Sequence, residues 1–132
     1  MSTRSTIAIF ENGTINGVYC HFDGYFSGVG ATLNEHYTNE EKVRELISQG
    51  GISTLEASIG QEHSFNDRPE GQTTFYHRDR GELLRVHTWV SAEKMQEDMY
   101  DCEFFYLFLD GVWCGAKGND KFQPLTSLLN EV

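Results

Sequence analysis

A thiol, an imidazole and a carboxylate stand close together in GVYCHFDGYFSG, Gly17 to Gly28, as Cys20, His21 and Asp23. Side chains of these types serve as a nucleophile with its base, as metal ligands, or as the polar part of a recognition surface. If GVYCHF is a strand, its side chains alternate: Val18, Cys20 and Phe22 point one way, Tyr19, His21 and Asp23 the other. A nucleophile must lie within hydrogen-bond reach of its base, so alternation excludes a Cys20–His21 dyad and leaves Cys20 as a small core hydrophobe. His21 and Asp23 share a face and could reach a common point. Theirs is the H-x-D spacing of a non-haem iron site, which needs another histidine (His36, His63, His77 or His87) and a double-sheet barrel larger than this chain can supply. The reading is therefore no metal and no cofactor. A turn at Asp23-Gly24, with Asp23 accepting main-chain hydrogen bonds, accounts for the same residues. Tyr19 and Tyr25 add an aromatic lining, so His21 is expected to act in binding and Asp23 mainly in architecture. A hydrolase using His21 and Asp23 is the weakest reading.

A second polar cluster, FYHRDRGE, holds Tyr76, Arg78 and Arg80. Its HRD matches the catalytic loop of protein kinases, but no glycine-rich loop, lysine strand or D-F-G accompanies it. Two of only ten basic residues sit here. They either belong to a solvated turn or fork onto a phosphate or carboxylate, with Tyr76 or Trp89 as a stacking face. No Walker loop, G-x-G-x-x-G, G-x-S-x-G, H-E-x-x-H or C-x-x-C is present.

The elements that must position these residues are legible in part. STIAIF and TINGVYCHF flank an Asn-Gly turn and predict a β-hairpin. TNEEKVRELISQGG predicts a helix with a capping box at Thr38 and Glu41 and an apolar face of Val43, Leu46 and Ile47. STLEAS repeats the box at Ser53 and Glu56 and predicts one or two helical turns, followed by a loop over GQEHSFNDRPEGQ. TTFYHRDRGELLRVHTW reads as two strands around a turn near Arg80 and Gly81, and SAEKMQEDMY as a helix started by Ser91. CEFFYLFLDGVWCGAK is a hairpin about Asp110-Gly111 whose first strand is apolar on both faces, and so lies inside the sheet. QPLTSLLNEV predicts a final helix packed by Leu125, Leu128 and Leu129. The order describes a single α+β domain over residues 1–132, a mainly antiparallel sheet of hairpins with three or four short helices on one face.

Twenty acidic against ten basic side chains give a net charge of −10 in 132 residues. Such a charge keeps a small protein soluble, repels a phosphate backbone and suits basic partners, so nonspecific nucleic-acid binding is not expected. Cys20, Cys102 and Cys114 have no framework spacing, which fits a reducing cytoplasm. No stretch approaches the ~20 apolar residues of a membrane span.

TRSTIA near the start, YCHFDGY at Tyr19 to Tyr25, LNEHYT at Leu33 to Thr38 and, more loosely, TTFYHRDRGE and the aromatic hairpin resemble a family of small bacteriophage and prophage proteins without an assigned activity. The resemblance implies an accessory protein made in the bacterial cytoplasm that binds and disables a host protein, such as a component of antiviral defence. Joined to the charge, it predicts a non-enzymatic binder with an acidic and aromatic surface. The alternative is a protein that sequesters a nucleotide-like ligand on the Tyr19, His21, Asp23 and Tyr25 face with Arg78 and Arg80.

Overall fold

Two short turns set the sheet. Asn12-Gly13 and Asp110-Gly111 have positive φ at both positions, the primed turn geometry that follows the twist of paired strands. In the computed structural model, which describes residues 2–129, the strands are β1 (Ser5–Glu11), β2 (Thr14–Cys20), β3 (Ile52–Thr54), β4 (Thr74–Phe75), β5 (His87–Trp89), β6 (Phe104–Leu109), β7 (Val112–Lys117) and β8 (Gln123–Pro124). The helices are α1 (Ala31–His36), α2 (Glu40–Ser48), α3 (Tyr76–Arg80), α4 (Ala92–Asp98) and α5 (Leu125–Leu129), with a π-helical turn over Phe26–Gly30 leading into α1. The turns close β1 on β2 and β6 on β7, and parallel pairing of β1 with β6 fuses the two hairpins. The sheet runs β4-β3-β2-β1-β6-β7-β8, with β5 paired to β2 beside β3. This is an α+β fold with a mixed, mostly antiparallel sheet.

The central strands bury both faces because apolar residues occupy both parities. Ile7, Ile9, Tyr106 and Phe108 face one layer, formed with α1, α2 and α5 through Leu33, Val43, Leu46 and Leu125. Ala8, Phe105 and Leu107 face the other, where Met95 and Met99 from the α4 segment and Trp89 of β5 cover them. So α4 departs from the expected single helical layer: with both parities of β6 apolar, the second face also needs a cover.

Local readings differ at four places. Helix α2 is capped by Asn39, whose Oδ1 accepts from the Lys42 amide at 2.8 Å, and not by Thr38. Asn is an equally good cap, and the core anchorage of Tyr37, whose carbonyl accepts from Trp113 Nε1 at 2.8 Å, sets the helix start one residue later. Ser53 and Glu56 form no helical turn: Ile52 pairs with Cys20 and is fully buried, because the open edge of β2 takes this segment as a strand. The expected hairpin around Arg80-Gly81 is instead β4, α3 and β5, which pair with β3 and β2 and not with each other. Gly81, at φ 73°, is the left-handed C-cap of α3. Phe26–His36, unassigned from sequence, turns helical as Val29 and Leu33 reach the core. Ser91 does cap α4, accepting from the Lys94 amide at 3.2 Å. Leu125 of α5 is fully buried, and the last three residues of the predicted tail helix lie outside the described residues.

Candidate functional site

Strand β2 ends at Cys20, and this ending decides the fate of the opening motif. Cys20 points into the core and its thiol is pushed up to about 12 by burial, which removes it from nucleophilic chemistry at neutral pH. Phe22, expected beside it, is exposed because alternation stops with the strand. Tyr19 and His21 do share a face, with Tyr19 Oη 2.6 Å from His21 Nδ1. Burial raises the Tyr19 hydroxyl to about 12, while burial and the nearby Arg4 guanidinium hold the His21 imidazole below its ordinary value. Asp23 belongs to a different construction. It sits at φ 57°, its carbonyl accepts from the Val29 amide at 2.8 Å, and its carboxylate accepts from the Tyr25 hydroxyl at 3.0 Å. Gly24 is pressed against Thr3 and Ser5, and its carbonyl accepts from Tyr106 Oη at 2.5 Å. His21 and Asp23 are thus each engaged by a different tyrosine. Among the described residues no three His, Cys, Asp or Glu side chains are grouped to hold a metal.

The two arginines of the second cluster have different roles. Arg78 turns inward: its guanidinium donates to the carbonyls of Ile59 and Thr73, both at 2.9 Å, and to Asp79 Oδ1 at 3.0 Å, over the Phe75 ring. Asp79, with no side-chain exposure, also accepts from the amides of Phe75 at 2.8 Å and His63 at 3.0 Å. Burial alone would raise the Asp79 carboxyl, but Arg78 and the two amides outweigh it and hold it below the usual carboxylate range. This knot ties the loop after β3 to α3. Arg78 is thereby withdrawn from the ligand-binding role expected of it. Arg80 remains at the surface, ion-paired to Glu82 and stacked on Phe65 and Tyr76, with ring centroids at 4.3 and 5.1 Å. Trp89 gives neither arginine a stacking face; it stacks on His87 at 5.5 Å and donates its indole N–H to Asp98 at 2.8 Å.

Three neighbouring depressions follow one side of the molecule. A cleft of about 250 Å³ is lined by Tyr19, Gly51, Tyr76, Glu82, Leu83, Arg85 and His87. His87 also lines a depression of about 600 Å³ with Thr88, Trp89, Lys94, Glu97, Asp98 and Tyr100. Glu97 and Tyr100 continue into a third, of about 490 Å³, with Glu93 and Gln96. Of the expected binding residues, Tyr19, Tyr76 and Trp89 meet on this side, His21 reaches it through Tyr19, and Arg80 flanks it. Asp23 and Tyr25 pair with each other. His87, named from sequence only as a possible metal ligand, lines this side instead, and Leu83, Glu97 and Tyr100 join it without having been singled out from sequence. LLRV passed for an ordinary strand, and an aromatic at a helix end looks like a core contact until the fold leaves it outside.

No family model, curated protein or solved structure matches this chain. The geometry of this side of the molecule is what bears on function.

Proposed function

We propose that the protein is a non-enzymatic binder of a partner protein with a basic surface, engaged by the acidic and aromatic side that runs from Tyr19 and Tyr76 past His87 and Trp89 to Tyr100. The observation that carries this reading is Tyr100, 85% exposed beside Glu93 and Glu97, a large aromatic ring kept in water among carboxylates. Exposed tyrosines bring large contact area at low entropic cost, and surrounding charge steers association and selects against like-charged partners. The net charge of −10 extends that preference to the whole surface. The resemblance to small bacteriophage proteins supports a host bacterial protein as the partner, such as a component of antiviral defence, met in the bacterial cytoplasm. Against a nucleotide-sequestering role built on Arg78 and Arg80 stand the engagement of Arg78 by internal carbonyls and the pairing of Arg80 with Glu82, which leave Arg85 as the arginine of the cleft that could meet a phosphate.

Affinity recovery from bacterial lysate tests the proposal. The wild-type chain should retain a specific protein that is lost with Tyr100→Ala and with Glu93→Lys/Glu97→Lys, and that elutes with salt. Equal recovery by all three chains, or by none, would overturn it. A thermal-shift panel of nucleotides should leave the melting temperature unchanged, whereas a ligand at 100-fold its dissociation constant would add about 2.7 kcal/mol.

A further inference from the structure

The segment that joins α3 to β5 breaks the economy of the rest of the chain. Gly81–Val86 is exposed throughout, although it contains Leu83, Leu84 and Val86, and Leu83 is 74% exposed. Beyond β5 the same holds for Val90, at 76%. Among the described residues, Leu83, Leu84, Arg85 and Val86 make no main-chain hydrogen bond to other main-chain groups. Strand β5, which continues this segment, has β2 on one edge and no described strand on the other. Val86 and Val90 face water, Thr88 donates its hydroxyl to Asn16 Oδ1 and lines the larger depression with His87 and Trp89, and His87 also lines the cleft. A row of open amides and carbonyls bordered by exposed apolar side chains is a template for strand pairing.

We propose that the edge formed by Leu83–Val90 receives an extended, basic segment of a partner protein as an added strand. The inference rests on the binding role proposed above and specifies how the partner is held. Open main-chain groups in a row fit a strand, because a helix has already satisfied its own and would leave them unpaired. Charge chooses between a foreign strand and a second copy: two chains of −10 repel each other, whereas a basic segment is attracted. The immediate surroundings are near balance, with Glu82 paired to Arg80 and Glu97 within 4.0 Å of Lys94, so the selection comes from the net charge of the chain. Side chains of one parity on the added strand would meet His87 and these depressions, and those of the other parity would cover Val86 and Val90.

Two synthetic peptides of equal length, one alternating Lys and Val and the other Glu and Val, separate the outcomes when added to the full chain. The Lys-Val peptide should slow hydrogen exchange of amides within 83–90 by ~10-fold or more, the Glu-Val peptide should not, and sedimentation should show a monomer before peptide is added. Absence of protection at millimolar Lys-Val peptide, or protection confined to another edge, would overturn the proposal. So would a dimer that protects 83–90 without peptide, which would assign the edge to a second copy. Val86→Pro removes an amide that has no main-chain partner, and should abolish the protection at unchanged melting temperature. Should that variant not fold, Leu83→Lys/Val90→Lys should weaken Lys-Val peptide binding by ~10-fold through charge and lost apolar contact. The edge and the wider reading fail separately. Peptide pairing without a lysate partner keeps the edge and removes the reading, while a lysate partner bound equally by Leu83→Lys/Val90→Lys keeps the reading and removes the edge.

Discussion

Cys20 and Asp79 are both buried, and burial has opposite consequences for them. Cys20 has no charged neighbour to favour its thiolate, so its thiol rises to about 12. Cys114 is less enclosed. A thiol reagent should therefore label Cys114 first and Cys20 only as fast as the chain unfolds; rapid labelling of Cys20 in the folded protein would contradict its core position. Asp79 is buried as a carboxylate, paired with Arg78 and two amides. Its folded pKa lies below the unfolded value, so the stability it contributes is complete above pH ~4 and is lost as pH falls through the folded pKa. Asp79→Asn should cost about 3 to 5 kcal/mol at neutral pH, since it leaves Arg78 in the knot without its counter-charge, and should flatten the acid limb of a pH-stability curve. An unchanged acid limb would move that stability to other carboxylates. At the opening motif, Asp23→Ala should lower stability by about 1 kcal/mol, because alanine tolerates φ 57° poorly, while His21→Ala should leave the melting temperature nearly unchanged and weaken partner binding. Lost stability in His21→Ala with binding retained would return His21 to architecture.

Among the elements, β6 carries the most weight because it joins the hairpins and buries both faces. Phe105→Ala should cost about 3 to 5 kcal/mol and Leu107→Ala about 2 to 5 kcal/mol in denaturant unfolding, and a loss below about 1 kcal/mol at both would mean an exposed edge. Strand β5 depends on Gly17 of β2. A Cβ there would lie 2.8 Å from the Ala8 Cβ, 2.9 Å from the Ile7 carbonyl oxygen and 3.1 Å from the Trp89 ring. Gly17→Ala should destabilise by about 1 to 3 kcal/mol through overpacking, and should shift Trp89 fluorescence by displacing the indole from Asp98. An unaltered spectrum at unaltered stability would show that β2 and β5 have room to separate.

At the scale of the whole molecule the sheet divides its faces. One, under α1, α2 and α5, is a continuous core; the other is a smaller cluster under α4, bordered by open clefts and by the edge of β5 that no described strand covers. The acidic charge on the second side is exposed, so Glu93→Lys/Glu97→Lys should change stability by less than about 0.5 kcal/mol, as surface substitutions usually do, while it removes attraction for a basic partner. A large loss of stability would instead make those carboxylates part of the scaffold.

Both hairpins, the burial of β6, helix α2 and the Ser91 cap of α4 were legible in the residues, because turn chemistry, parity and capping act over a few positions and leave marks at fixed spacing. The burial of Cys20 and the shared face of Tyr19 and His21 followed from the same parity, whereas their direct contact is a finding of the structure. What lay beyond local rules was decided by partners far along the chain. Ser53 and Glu56 carry a helical signature, yet Ile52 forms a strand because β2 offers it an open edge. Arg78 has the composition of a surface cation, yet it is turned inward by the carbonyls of Ile59 and Thr73. The meeting of Tyr19, Tyr76, His87 and Tyr100 on one side, and the edge that Leu83–Val90 leaves open, exist only once β5 has chosen β2 over β4. That choice depends on the space above Gly17 and on burial of Trp89, and neither leaves a periodic mark in the sequence.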